Sequence, residues 1–211
     1  MATSNVTTET DVANLALQRI GRAIISDIDN DGTKTSLACL RIFADTRDEV
    51  AVMLPWSNLM TRTAISTSAA TDSLFAYKQT LADTVLRVIE VTAIDGSSEN
   101  ENWRREGTTL FYDLTTGYIR HIERQASVSI WDPLYLAALE ARLAHKLSVY
   151  LTTDVQMHMA MQQEYVTLLS TAVLVRAVEE NEANDKILAQ LDASLAARYI
   201  AISGGRRRIA E

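Results

Sequence analysis

Residues 129–154 read SIWDPLYLAALEARLAHKLSVYLTTD, and this stretch decides the fold class. Asp132 is a favoured residue just ahead of a helix, and Pro133 suits the first helical position, where its missing N–H has no partner to lose. Trp131 stands immediately outside, placed to staple onto Leu136. The spacing predicts a helix from Pro133 to about Leu151. Thr152-Thr153-Asp154 then breaks it and opens another, which continues to about Glu182. A last short helix is expected over about 185–199, before SGGRRRIAE ends the chain.

Upstream of residue 131 the texture is different. Between about Thr63 and Ile130, serine, threonine and short β-branched runs replace helical periods. VLRVIEVTAI (85–94) reads as a strand, and GSSENEN (96–102) as a turn-rich connection. TTLFYD (108–113) and GYIRHIER (117–124) read as a hairpin closing around Leu114-Thr115-Thr116-Gly117.

At the front, helical texture returns. Thr8 can cap a first helix with Asp11 three positions on, and Val12, Leu15, Ala16 and Ile20 follow at helical spacing until Gly21. A second helix is expected from about Thr35 to Leu54, with Leu37, Leu40, Phe43, Arg47, Val50 and Leu54 broadly along one face. Pro55 sets its boundary. The expected fold is therefore α+β: a mainly helical bundle built from residues 1–62 and 131–211, with a β-rich domain inserted at 63–130.

Composition narrows the function classes. The chain has 211 residues, 47% hydrophobic and 22% charged, as expected of a soluble globular protein. Its formal net charge of −7 argues against general binding to nucleic acid, which needs clustered Lys and Arg. The visible basic cluster is Arg206-Arg207-Arg208. Cys39 is the sole cysteine, so an internal disulfide and a cysteine-based zinc site are excluded. The polar start MATSNVTTETD lacks the apolar core of a signal peptide, and no apolar run nears the roughly 18 residues that span a bilayer. A soluble protein made in a reducing compartment is expected, with no membrane partner.

Catalytic patterns are sparse. The seven glycines are scattered, and no glycine-rich phosphate loop or HExxH pattern occurs. His121, His145 and His158 are too far apart in sequence for a local metal site; the last two fall on predicted helices that could bring them close in space, and read as plain helix-surface histidines. Cys39 falls inside a helix, where a buried structural thiol is expected. Glu99 and Glu101, like Glu179, Glu180 and Glu182, read as solvated runs; a glycan hydrolase would need two such acids facing each other across a cleft.

SDIDNDGTKTSLA (26–38) opens like an EF-hand, with Asp27, Asp29 and Asp31 at loop positions 1, 3 and 5 and Gly32 at 6. Position 12, which needs a bidentate Glu, is Ala38. Turn chemistry explains the same residues, with Asp31 or Thr33 capping the second helix. The expectation is a hinge or contact loop without metal, and a calcium-modulated helical module is the weaker alternative.

Three blocks, in order, resemble the tail tubular protein A family of tailed bacteriophages, which are head-to-tail adaptors. The first is ANLALQRIGRAIIS (13–26) followed by SLACLRIFADTRDEVAVMLPW (36–56), with Trp56 after the proline and Arg62 where the family often has arginine. The second is NWRREGTTLFYD (102–113), carrying Trp103 and Gly107, with GYIRHIE (117–123) after it. The third is the Trp131-Asp132-Pro133 helix with its Ala-x-Arg-Leu-Ala core. Together they span roughly residues 12–180. QTLADTVLRVIEV (79–91) departs from the family by keeping Asp83 without the usual preceding proline.

The resemblance implies a structural virion protein of the tail or neck, assembled in the host cytoplasm. It implies a ring, typically of twelve copies, that docks beneath the portal protein and meets a tail or nozzle protein. Genomic DNA would pass through its lumen without tight binding, and an acidic chain suits passage better than retention. No active site and no cofactor are implied. Arg206, Arg207 and Arg208 then become candidates for docking on the portal. The alternative from a different class is a virion-borne glycan or peptidoglycan hydrolase.

Overall fold

In a computed structural model, the described residues are 6–70, 74–94 and 102–179, with side chains to residue 176. The short helix expected at 185–199 lies outside them. Among the described residues, four α-helices and two antiparallel sheets make a mixed α+β fold.

Helix α3 (Pro133–Leu151) forms the centre of the helical part. Asp132 caps it by accepting a hydrogen bond from the Leu134 N–H at 2.7 Å, with Pro133 in its first turn. Tyr135, Ala138, Leu139, Ala141, Leu143, Ala144 and Leu147 are all buried, so α3 is apolar around much of its circumference. That follows from its position between α1 (Glu9–Arg19) and α2 (Lys34–Met53), which both pack on it. Trp131, immediately before α3, packs edge-on against Tyr135 at 5.4 Å between ring centroids. Trp56 also packs edge-on against Tyr135 at 5.4 Å, while its indole N–H donates to the Val50 carbonyl at 2.9 Å.

Helix α1 carries the expected capping box, with Thr8 and Asp11 each accepting from the other's backbone N–H. It ends where Gly21 adopts φ +66, and the N–H groups of Gly21 and Arg22 reach back to the Gln18 and Leu17 carbonyls. This reciprocal pair satisfies carbonyls that the helix end would leave bare. The 26–33 loop is pinned to α1. Asn14 exchanges both amide hydrogen bonds with the Ile25 backbone, and the Ile28 N–H donates to Thr10.

In α2, capped by Thr33, the buried residues are Ser36, Cys39, Phe43, Thr46, Val50 and Ala51. This corrects the expected stripe: Leu37 and Leu40 stand 44% and 43% exposed. Ser36 and Thr46 tolerate burial because their hydroxyls donate to the Thr33 and Ile42 carbonyls at 3.1 and 2.6 Å. Helix α4 (Val155–Glu179) begins where Asp154 accepts from the Gln156 and Met157 N–H groups.

The strands are β1 (Met60–Ala64), β2 (Ser68–Ala69), β3 (Tyr77–Thr80), β4 (Val85–Ala93), β5 (Trp103–Glu106), β6 (Thr109–Tyr112) and β7 (Gly117–Glu123). One sheet runs β1-β7-β4 and the other β2-β3-β6-β5. The expected hairpin over 108–124 is not formed, because β6 and β7 belong to different sheets. The hairpin is instead β5–β6, turning at Gly107 with φ +58, a left-handed conformation that glycine adopts without a side-chain penalty. Both long edges of β7 are occupied by β1 and β4, leaving none for β6.

The sheets share a core of Leu81, Val85, Val88, Val91, Leu110, Tyr112 and Ile119, with Trp103 packed at its margin. Tyr112 is fully buried, its hydroxyl held by the Ser66 carbonyl at 2.5 Å and Gln79 at 3.0 Å. Two side chains tie the β-rich part to α2. The Arg87 guanidinium donates to the Val52 carbonyl at 2.9 Å, and Arg124 clamps Asp48 with its Nε 3.0 Å from Oδ2.

Candidate interaction surface

Because Ser36, Cys39 and Phe43 turn inward, the neighbouring α2 positions Lys34, Leu37, Ala38 and Arg41 share an outer face at i, i+3, i+4 and i+7. The C-terminal end of α3 brings Tyr150 and Leu151 alongside. Together with Ile42 these residues line an open groove of ≈ 520 Å³. Its apolar content is unusual for an exposed place. Tyr150 is 64% exposed, and Leu37, Leu40 and Val149 are exposed nearby in sequence. Large apolar patches left in water mark interaction sites more often than they serve stability.

The α3 end that forms one wall is held in place. Arg22 donates to the Leu151 carbonyl, and the Thr152 hydroxyl donates to the Ser148 carbonyl at 2.8 Å. The wall is thus held by side chains outside the groove and does not rest on the groove's own side chains.

Charge distinguishes the groove as well. Elsewhere in α1, α2 and α3 the cations are paired: Arg19 with Glu140 and Glu164, Arg47 with Glu9 and Asp48, Arg142 and Lys146 with Glu49. Lys34 and Arg41 form no ion pair among the described residues. Two turns apart on one helix, they stand about 10 Å from each other along the axis. A floor of Leu37, Ile42, Tyr150 and Leu151 between two such cations is complementary to an apolar surface flanked by acids.

The residues singled out from sequence fall as follows. Trp56, Trp131, Asp132 and Pro133 frame the start of α3, and Trp103 and Gly107 shape the β5–β6 hairpin; all six serve folding. Asp27 is occupied within its own loop, accepting from the Asp29 N–H at 2.9 Å and the Asn30 amide at 2.8 Å. Those hydrogen bonds, that from Asn30 foremost, hold its carboxyl below the usual range. Asp31 accepts from the Ser26 N–H at 3.0 Å. Among the described residues no group of three or more His, Cys, Asp or Glu side chains is placed to hold a metal ion. Cys39 is buried, and burial pushes its thiol up to about 11.

Arg206, Arg207 and Arg208, and the acids Glu99, Glu101, Glu180 and Glu182, lie outside the described residues; Glu179 ends α4. His121 is buried in β7. His145 and His158 are not independent surface residues: their rings stack at 4.3 Å between centroids across the α3–α4 corner. Among the described residues no helix is long and apolar enough to cross a membrane.

Sequence reasoning missed the groove because it assigned Leu37 to the core stripe. The available signal was Lys34 and Arg41, two cations in register with Leu37 and Ala38 on a face assumed to be buried. No protein-family model matches the chain, and no curated protein matches it.

Proposed function

We propose that this chain is a head-to-tail adaptor of a tailed bacteriophage, a structural ring subunit that docks beneath the portal and joins it to the tail. The observation that carries the reading is the open apolar groove between α2 and the end of α3, bordered by Lys34 and Arg41, which form no ion pair among the described residues. A ring built by rotation joins two different faces of the same subunit, so each copy needs a surface of this kind for its neighbour. The chain carries a formal charge of −7, which makes a second copy the electrostatically suitable occupant of a cation-rimmed groove.

The mixed architecture supports the same reading, since the resemblance implies a helical bundle with an inserted β-rich part. A ring of such acidic subunits presents DNA with a repulsive wall, which suits passage through a channel. The role requires interfaces and no catalytic step.

The test is assembly of the full chain carrying Leu37→Glu and Tyr150→Glu together. Both side chains are exposed, so the variant is expected to keep its circular dichroism spectrum. Native mass spectrometry in the presence of a portal ring should show wild-type oligomers and only variant monomers. Equal assembly of the two proteins would remove the groove from the account.

A further inference from the structure

We propose that the stacked His145–His158 pair is an acid-released clasp, holding the first turns of α4 against α3 at neutral pH and letting them part when His145 takes up a proton. The rings lie 4.3 Å apart with 27° between their planes. Their hydrogen bonds fix which nitrogens carry protons. His145 Nδ1 lies 3.1 Å from an Arg142 Nη1, and a guanidinium only donates, so this Nδ1 must accept and the proton sits on Nε2. That Nε2 is buried with no hydrogen-bond partner among the described residues. The Ser148 hydroxyl gives its one proton to the His145 carbonyl at 2.7 Å, so it accepts from His158 Nδ1 at 3.1 Å. The His145 imidazole is thereby seated as a neutral ring.

A second proton on His145 has to enter at Nδ1, directly against an Arg142 N–H. The acceptor becomes a donor, and the contact turns from attractive to repulsive. The surroundings add to this. From α3, Arg142 and Lys146 are cationic; from α4, His158 stacks on the ring; from α2, Glu49 is the one opposing charge. Glu49 is already engaged, with Oε1 2.6 Å from Arg142 and Oε2 2.5 Å from Lys146. Arg142 also lies 5.2 Å from the ring centroid of Tyr165 on α4, whose buried hydroxyl has no hydrogen-bond partner among the described residues. The same arginine therefore cannot swing away from His145 without loosening α4 again.

Burial first, then His158, Arg142 and Lys146, push His145 below its ordinary value, with Glu49 acting the other way. Above about pH 6.5 both folded and unfolded chains hold this histidine neutral, and it has no effect on stability. As pH falls below that, the unfolded chain binds a proton that the folded chain resists, and stability drops. The Ser148 hydroxyl is no candidate nucleophile in this cluster, because the residue is 1% exposed and its proton is committed to a carbonyl.

The experiment is a proton NMR titration of the imidazole resonances in the full chain from pH 8 to 4.5, assigned with His145→Gln and His158→Gln. His145 should titrate below about 6.5, and His158→Gln should move its midpoint upward. Thermal melts should show the wild type losing more stability between pH 7 and pH 5 than His158→Gln. Glu140, whose carboxyl burial raises against the pull of Arg19, works in the opposite sense but is common to both proteins. Hydrogen-exchange protection factors in residues 155–162 of the wild type should fall at pH 5, a readout that needs no variant. A His145 midpoint at or above about 6.5, or unchanged protection of these residues, overturns the proposal.

Discussion

Truncating Leu37 and truncating Phe43 distinguish the observed face of α2 from the one its pattern suggests. Both residues belong to the apolar stripe read from sequence, yet Phe43 is 3% exposed and Leu37 is 44% exposed. Fully burying a leucine is worth about 1.5–3 kcal/mol, so Leu37, a little over half removed from water, contributes about 1 kcal/mol. Its replacement by alanine leaves no enclosed cavity, because the side chain borders an open groove. Phe43→Ala empties a site inside the helical core and should cost about 3–5 kcal/mol. In a protein of this size each kcal/mol moves the melting temperature by about 2–4 °C. Circular dichroism melts should therefore fall by about 3 °C for Leu37→Ala and by about 10 °C or more for Phe43→Ala. Urea titration with an unchanged m-value would confirm that the folded state alone is affected. Equal losses for the two variants would refute the assignment of the inward face, and with it the groove.

Three further outcomes follow from single contacts. Asp132→Ala removes the acceptor 2.7 Å from the Leu134 N–H and should cost about 1 kcal/mol by chemical denaturation, with Asp132→Asn recovering most of it. Gly117→Ala would drive a Cβ into the Thr92 carbonyl oxygen, and β7 is paired on both sides and has nowhere to shift. A loss of about 2–3 kcal/mol is expected, and a neutral result would contradict the β4–β7 register. Cys39, buried and with its thiol pushed up to about 11, should resist a disulfide reagent at pH 8 until denaturant is added. Rapid modification of the native chain would place it elsewhere.

Local chemistry was the legible part of this sequence. Thr8 with Asp11, Thr33, Asp132 with Pro133, and Asp154 each mark a helix start through hydrogen bonds made within three or four residues. Gly21 marks a helix end because the chain there turns left-handed. Nonlocal choices were hidden. β7 pairs with β1, whose residues lie well over fifty positions earlier, while the nearest strand in sequence, β6, joins another sheet. Turn residues at 114–117 suggest a reversal but do not specify which edge the chain returns to. In α2, apolar residues cover more than one face, and burial of Ser36 and Thr46 depends on hydroxyls satisfied by carbonyls one turn back. The histidine pair forms only because the 152–154 corner folds α4 back so that His158 meets His145.

The adaptor reading stands or falls on assembly with a portal. Purified full-length chain mixed with purified portal rings and imaged by negative stain should show a second ring of about twelve subunits seated coaxially beneath the portal. Portal rings that remain bare at saturating concentrations of the chain would contradict the account.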